Sequence, residues 1–255
     1  MIKLQLAAFF SFFSIILVAQ KPFTGDVTER DYINRFGYTQ ITKSESSEIT
    51  QGTAIKTLYT FGENGFLRTK TVQNKEVLTS QYTYDDNGNV LEITTKNANG
   101  KLYTSEKYGY DKLNRVKESD IHHVADNNKT TEKVMWLEDE TRHLTRFTKD
   151  KEVKYLTNFD KFNRPLSELV DDGSGTEWAY SDILPVMKKY KMGESILSIE
   201  RYDFDTENRI AVIENAQIRK VFIYDNSNLL IKTEIFDTNG VKIGWETYEY
   251  AFEAK

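Results

Sequence analysis

Cysteine does not occur in the 255-residue sequence, and proline and histidine occur three times each. Without cysteine there can be no disulfide framework and no thiol nucleophile. Scarce proline is typical of long runs of paired strands, because proline cannot donate to a strand ladder. The net charge of −5 is spread without a basic cluster, and nucleic-acid binding needs such a cluster. The chain must therefore be stabilised by its apolar core and its backbone hydrogen bonds.

The N-terminus predicts export. Residues 1–3 form a short basic region with Lys3, residues 4–18 are mainly apolar, and a polar stretch follows, which is the layout of a secretory signal peptide cleaved after Ala19 or Gln20. An uncleaved anchor is the alternative, but the apolar run is shorter than the roughly 20 residues that a spanning helix needs. We therefore expect a signal peptide over residues 1–20 and a polar lead-in over residues 21–32. The mature protein should be secreted or periplasmic, associated with the cell envelope and without a membrane span.

Aromatic residues recur in pairs spaced i, i+2 along the rest of the chain. The second member of each pair repeats about every 24 residues, a spacing that indicates an internal structural repeat. The pairs are Phe36/Tyr38, Tyr59/Phe61, Tyr82/Tyr84, Tyr108/Tyr110, Trp178/Tyr180, Tyr202/Phe204, Phe222/Tyr224 and Tyr248/Tyr250, with two weaker copies, Met135/Leu137 and Thr157/Phe159.

A turn signal follows most of these pairs. In the copy that begins at Tyr84, Asp85 comes next, Gly88 stands four residues after the tyrosine, and Val90 resumes the apolar pattern. The aspartate can cap a turn, and glycine or asparagine tolerates a left-handed backbone, so each unit is predicted to be a hairpin. A second set of turn signals, such as residues 97–100 and 237–240, lies between them. The pattern predicts an all-β antiparallel meander.

This pattern resembles the YD repeat of the RHS family, whose motif is roughly Tyr-Asp-x-x-Gly-Arg-Leu. The resemblance covers residues 33–255 and implies a short, repeat-only member, because the sequence has no Asp-Pro-rich self-cleaving segment and no toxin domain. It implies a twisted single-layer sheet of roughly 18 to 20 strands that forms an open shell or solenoid-like sheet. The edges at Phe36 and at residues 248–252 would then need to be covered or paired.

Metal sites have weak support in the sequence. His122 and His123 are adjacent on a predicted strand and point to opposite faces, so a shared zinc ion is disfavoured, although His143 lies about one period further on. Asp85, Asn87 and Asn89 alternate as calcium ligands do, but Val90 replaces the glycine of a calcium loop. The cluster over residues 171–175 is interpreted as a flexible turn. We predict no metal and no cofactor.

The sequence also contains no catalytic signature. It has no Gly-x-Ser-x-Gly elbow and no phosphate-binding loop, and its 39 acidic residues prevent the selection of any one acid–base pair. Trp136, Trp178 and Trp245 could stack on sugars, whereas cross-strand packing explains most aromatic residues better. We predict a non-enzymatic interaction or scaffold protein of the bacterial cell envelope or exterior. A carbohydrate-binding protein is the alternative, and a hydrolase a distant third. The expected partner is an envelope or extracellular protein or a surface glycan, and the sequence does not identify its binding residues.

Overall fold

The computed structural model describes residues 30–47, 54–124, 127–137, 141–147, 151–162, 164–182 and 184–252. The predicted signal peptide and most of the lead-in lie outside the described residues. Within them, no helix has the length and apolar character needed to cross a membrane. The described elements are one helix, α1 (Arg30–Phe36), a 3-10 turn (Glu63–Gly65) and eighteen strands.

The strands follow one another along the chain at short intervals. They are β1 (Tyr38–Ser47), β2 (Ile55–Phe61), β3 (Leu67–Gln73), β4 (Val77–Tyr84), β5 (Val90–Asn97), β6 (Leu102–Tyr110), β7 (Val116–His123), β8 (Asn128–Trp136), β9 (Thr141–Phe147), β10 (Glu152–Phe159), β11 (Pro165–Val170), β12 (Ser174–Ser181), β13 (Leu184–Met192), β14 (Ser195–Phe204), β15 (Ile210–Glu214), β16 (Ile218–Tyr224), β17 (Leu230–Asp237) and β18 (Lys242–Phe252).

The sheet is a closed ring. Each strand pairs antiparallel with its sequence neighbours, for example β1 with β2 and β17 with β18. The first and last strands also pair with each other, from Tyr38 opposite Phe252 to Ser47 opposite Gly244. The antiparallel meander is confirmed, but the predicted open shell or solenoid-like sheet is wrong, because the chain closes into an eighteen-stranded barrel. Closure leaves neither edge of the sheet unpaired and so removes the aggregation hazard of free edges.

Aspartates cap the turns as the sequence predicted. In the turn after β4, Asp85 Oδ1 accepts hydrogen bonds from the backbone N–H groups of Asn87 (2.9 Å) and Asn89 (2.8 Å). The same pattern recurs at Asp111, Asp160, Asp205 and Asp225. Among the described residues, the one four positions after the aromatic has positive φ in five copies, namely Gly65 (72°), Gly88 (82°), Asn114 (59°), Asn208 (59°) and Asn228 (68°).

The buried side chains of the strands share one face. Following the registers around the ring places Ile41, Thr95, Ser119, Thr157 and Leu230 on the same side of the sheet. Side chains crowd on the concave side of a curved sheet, so we call this side the inner face and the other the outer face. The described strands make their substantial contacts only with their ring neighbours, and most inner-face side chains remain partly exposed, so the wall is one sheet thick and encloses a lumen.

The main apolar cluster lies where the ring closes. It joins α1 to strands β1, β2 and β18 and to the start of β17. Helix α1 was not predicted, because its seven residues are too few for a clear amphipathic period. It includes Phe36, so the first aromatic pair is divided between a helix and a strand. The buried members are Ile33, Tyr38, Ile41, Phe61, Leu229, Leu230 and Tyr248.

An engineered disulfide tests closure directly. Ser44 on β1 lies opposite Thr247 on β18, and directly paired residues in a sheet are close enough for a disulfide. We expect the double variant Ser44→Cys/Thr247→Cys to form an intramolecular disulfide on mild oxidation, seen as a mobility shift that reductant reverses. A control pair, Ser44→Cys/Thr145→Cys, should not cross-link, since Thr145 lies on β9 across the ring. Equal behaviour of the two pairs would argue for an open sheet.

Candidate functional site

The two faces of the wall differ in chemistry. The inner face carries most of the repeating aromatic residues, and rings on this face such as Tyr82 and Tyr155 are only half-buried. The outer face presents exposed charged side chains, among them Lys107, Lys133 and Arg201, together with exposed apolar ones such as Met135 and Leu169. Half-buried rings on a concave surface are the feature of this protein that most resembles a binding site. The inner face is therefore the candidate functional surface.

Part of this aromatic lining has a structural task. The second ring of a repeat donates a hydrogen bond to the first carbonyl of a neighbouring strand, as the Tyr110 hydroxyl does to the Val90 oxygen at 2.8 Å. These bonds link successive repeats around the wall and explain the regular spacing of the rings. The others run from Tyr84 to Leu67, Trp136 to Val116, Tyr180 to Pro165, Tyr224 to Ile210 and Tyr250 to Leu230.

The series corrects one register. The weak copy in the middle of the chain was assigned to Met135/Leu137, but Trp136 makes the structural bond, with its Nε1 2.9 Å from the Val116 oxygen. Met135 lies on the outer face and is 57% exposed. The assignment was shifted by one residue, and in a strand such a shift exchanges the two faces. The indole N–H replaces a tyrosine hydroxyl here, and a search for that donor could have found the register.

Arginines stiffen three of the turns. Arg209 Nε is 2.6 Å from Asp205 Oδ2, and its guanidinium lies 4.4 Å from the centre of the Tyr224 ring. Burial alone would raise the pKa of Asp205, but the hydrogen bonds from the Arg209 backbone and side chain outweigh it and lower that pKa. Arg115 and Arg164 repeat the arrangement on Trp136 and Tyr180. Rings held by such cations are positioned by the fold, whatever else they bind.

Removing one ring hydroxyl should have a modest effect. We expect Tyr110→Phe to lower the free energy of unfolding by about 0.5–1.5 kcal/mol, because it deletes one hydrogen bond and leaves the ring in place. Urea denaturation followed by circular dichroism measures the change. Tyr103→Phe, on the outer face and 40% exposed, is the control and should leave stability unchanged. If both variants lost a similar amount of stability, the hydrogen bond of the Tyr110 hydroxyl would not be the cause of the loss.

A polar network crosses the inner face on β7 to β11. Arg146 Nε donates to Glu132 Oε1 at 2.7 Å, and its Nη1 donates to the Tyr155 hydroxyl at 3.1 Å. Burial alone would lower the pKa of Arg146, but the hydrogen bond and charge of Glu132 raise it. Arg142 is similarly held by Thr157 and Glu168. These cations are committed to protein partners, which makes the network part of the wall.

Three inner-face tyrosines each bond to the glutamate two residues earlier, on the same side of the strand. The Tyr108 hydroxyl donates to Glu106 Oε2 at 2.7 Å, and Tyr248 does the same to Glu246. Tyr202 forms the corresponding bond to Glu200. Burial, reinforced by these carboxylates, raises the pKa of Tyr108 and Tyr202. The tyrosines therefore stay protonated and act as donors.

The residues weighed as metal ligands are dispersed. His122 forms a hydrogen bond with Asn127 Oδ1 at 3.2 Å. It is opposite Lys129 at the start of β8, whereas His143 is opposite Met135 near the end of the same strand. Asp85 and Asn89 are engaged in their own turn. In the cluster over residues 171–175, Asp172 caps its turn by accepting from Ser174. Across the described part of the chain, no three His, Asp or Glu residues are grouped as a metal site would need.

The three tryptophans do not form one surface. Trp136 and Trp178 are on the inner face but on β8 and β12, which three other strands separate. Trp245 pairs with Ser46 and Glu234 on the outer face. A sugar-binding platform built from all three is therefore ruled out by their placement.

Comparison with protein-family models and with curated proteins found no match. Among solved structures, the chain is similar to a porin-like protein from Bacteroides uniformis ATCC 8492, with a TM-score of 0.37 and 8% identity over 84% of this chain and 96% of that one. A porin-like protein from Bacteroides vulgatus ATCC 8482 gives 0.34 and 12% over 84% and 98%. The TcdB2-TccC3-TEV structure gives 0.35 and 10% over 75% and 14%. Similarities this low carry no argument about function.

The assignment to the RHS family is wrong. No family model matches the chain, and the sheet closes where the resemblance implied an open shell. The motif that suggested the family is a local turn chemistry, in which an aspartate caps the turn and a glycine or asparagine supplies positive φ. Any antiparallel meander can use that chemistry, so it does not identify a family.

Proposed function

We propose that this chain is an exported, non-enzymatic interaction protein of the bacterial cell envelope or exterior, and that the inner face of the ring is its binding surface. The observation that carries the proposal is the half-buried aromatic and polar lining of the lumen. Barrels of about eight strands fill their interiors with their own side chains, whereas rings of 16 to 18 strands leave space. The lining of this ring is accordingly accessible to a partner.

The proposed location rests on the N-terminal pattern. A basic start, an apolar run and a small residue before a polar stretch direct a chain to export. Charged side chains such as Lys107, Lys133 and Arg201 on the outer face suit contact with water. The proposal includes both the periplasm and the exterior.

A non-enzymatic role agrees with how two arginines and several tyrosines of the lumen are used. Arg142 and Arg146 bind protein carboxylates, and the tyrosines keep their protons. Catalysis calls instead for a group that is free to exchange a proton near neutral pH.

A comparison of the two faces tests the proposal. Tagged mature protein is incubated with envelope and medium fractions of its source organism, and bound proteins are identified by mass spectrometry. Tyr82→Ser changes a half-buried ring of the inner face, and Tyr103→Ser makes the same substitution on the outer face. We expect a partner in near-equal amount that binds the Tyr103→Ser variant normally and the Tyr82→Ser variant less. Loss of the partner only with Tyr103→Ser would move the binding surface outside.

A further inference from the structure

One part of the inner face has free polar groups among its rings. Trp178 on β12, Lys188 on β13 and Glu200 on β14 stand in direct register, so they form a row across three strands. Tyr190 and Tyr202 flank this row on the same face. All five side chains are half-buried, and together we call them the Trp178 patch.

Lys188 supplies the cation of the patch. Its ammonium lies 5.6 Å from the centre of the Trp178 ring and 4.7 Å from that of Tyr190. It makes no hydrogen bond or ion pair with any described residue, whereas Arg142 and Arg146 are bound to carboxylates. The two rings therefore hold the Lys188 ammonium in place, and its three N–H donors are available to a ligand.

Glu200 supplies the matching acceptor. Its Oε1 accepts the Tyr202 hydroxyl, and its Oε2 has no hydrogen bond to the part of the chain that the structure describes. Glu200 and Lys188 are directly opposite each other, yet they do not form an ion pair. A donor and an acceptor of opposite charge thus stand side by side with spare hydrogen-bonding capacity.

We propose that the Trp178 patch binds a neutral oligosaccharide, an inference that rests on the proposed function of the inner face. Flat rings pack against the apolar C–H faces of a pyranose, while hydroxyl groups both accept from Lys188 and donate to Glu200. An anionic ligand would meet Glu200 and a cationic one would meet Lys188, so the adjacent charges favour a neutral polyol. The curved wall suits a chain of sugars, because the patch extends over three strands.

Calorimetric titration of the mature protein tests this assignment. The probes are maltohexaose, cellohexaose and chitohexaose, with hexagalacturonate as the charged comparison. We expect at least one neutral probe to bind, and Trp178→Ala or Glu200→Gln to raise its Kd at least tenfold. Trp245→Ala is the matched control, since that tryptophan lies on the outer face, and its Kd should be unchanged. Lys188→Met serves as a further variant if Trp178→Ala does not fold by circular dichroism.

The proposal is overturned if no neutral hexasaccharide binds, if hexagalacturonate binds more tightly, or if the Trp178 and Trp245 variants bind equally well. The pull-down with the two tyrosine variants separates this failure from that of the proposed function. A protein partner lost with Tyr82→Ser, combined with no oligosaccharide binding, would reject the ligand class and keep the inner face as the binding surface. Failure of both experiments would reject both ideas.

Discussion

Replacing Leu230 by alanine should lower the free energy of unfolding by about 2–5 kcal/mol. Leu230 is fully buried in the cluster that joins α1 to both ends of the sheet. Few side chains in this thin wall are buried to that degree, so the cluster supplies much of the apolar stabilisation of the ring. Because this cluster lies where the ring closes, the substitution should weaken the closure between β1 and β18. Urea denaturation followed by tryptophan fluorescence and circular dichroism measures it.

Leu169→Ala is the control for this result. It is the same substitution on β11, where the side chain is 54% exposed on the outer face, and it should change stability far less. If the two variants lost similar amounts, the apolar cluster at the closure would not be what holds the ring together. A second readout is the disulfide of the Ser44→Cys/Thr247→Cys variant, which should form more slowly when Leu230→Ala is added.

Lys43→Met should cost about 3 kcal/mol of stability, the low end of what breaking a buried ion pair costs. Lys43 Nζ lies 2.8 Å from Glu246 Oε1 and 2.7 Å from Glu45 Oε2, and the side chains of Lys43 and Glu246 are only 19% and 17% exposed. The substitution leaves the Glu246 charge partly buried, with the Tyr248 hydroxyl as its hydrogen-bond donor and the charge of Lys220 as a further favourable influence. Thermal and urea denaturation at neutral pH measure the loss.

The same pair predicts a pH dependence. Burial alone would raise the pKa of Glu246, but the hydrogen bond and charge of Lys43 lower it below its ordinary value of 4.5. A carboxyl group with a lowered pKa stabilises the fold above its unfolded pKa, and this contribution is lost as the pH falls through the folded value. The wild type should therefore lose stability below about pH 4.5 through this group. The variant should lose less, because burial favours the protonated acid once Lys43 is gone.

The gap in stability between wild type and Lys43→Met should accordingly narrow as the pH falls below about 4.5. Lys154→Met is the control, because it removes an exposed ion pair with Glu152. The Lys154 side chain is 66% exposed and the Glu152 side chain is 48% exposed. That variant should differ little from the wild type at any pH. A gap that stays constant from pH 7 to pH 3 would show that Glu246 is not the titrating group.

Several features could be read from the sequence because their causes are local. Asp205 contacts the N–H groups two and four residues later, and Asn208 has the left-handed backbone that its turn requires. Such contacts depend on a few neighbouring residues, so the turns, the hairpins and the antiparallel meander were predictable. The Trp178 patch was only partly predictable. Trp178 was singled out, whereas Lys188 and Glu200 have no sequence signal that links them across strands.

The tertiary structure decided how the hairpins are assembled. Whether β1 meets β18 depends on the twist and stagger accumulated over eighteen strands, and no short segment of the sequence determines that total. The pairing of Tyr38 with Phe252 joins the two ends of the described chain. The register at Trp136 and the packing of α1 over the closure were settled in the same way, by burial against distant residues. The sequence by itself determined a meander of aspartate-capped hairpins, and only long-range packing made it a closed ring with a lumen.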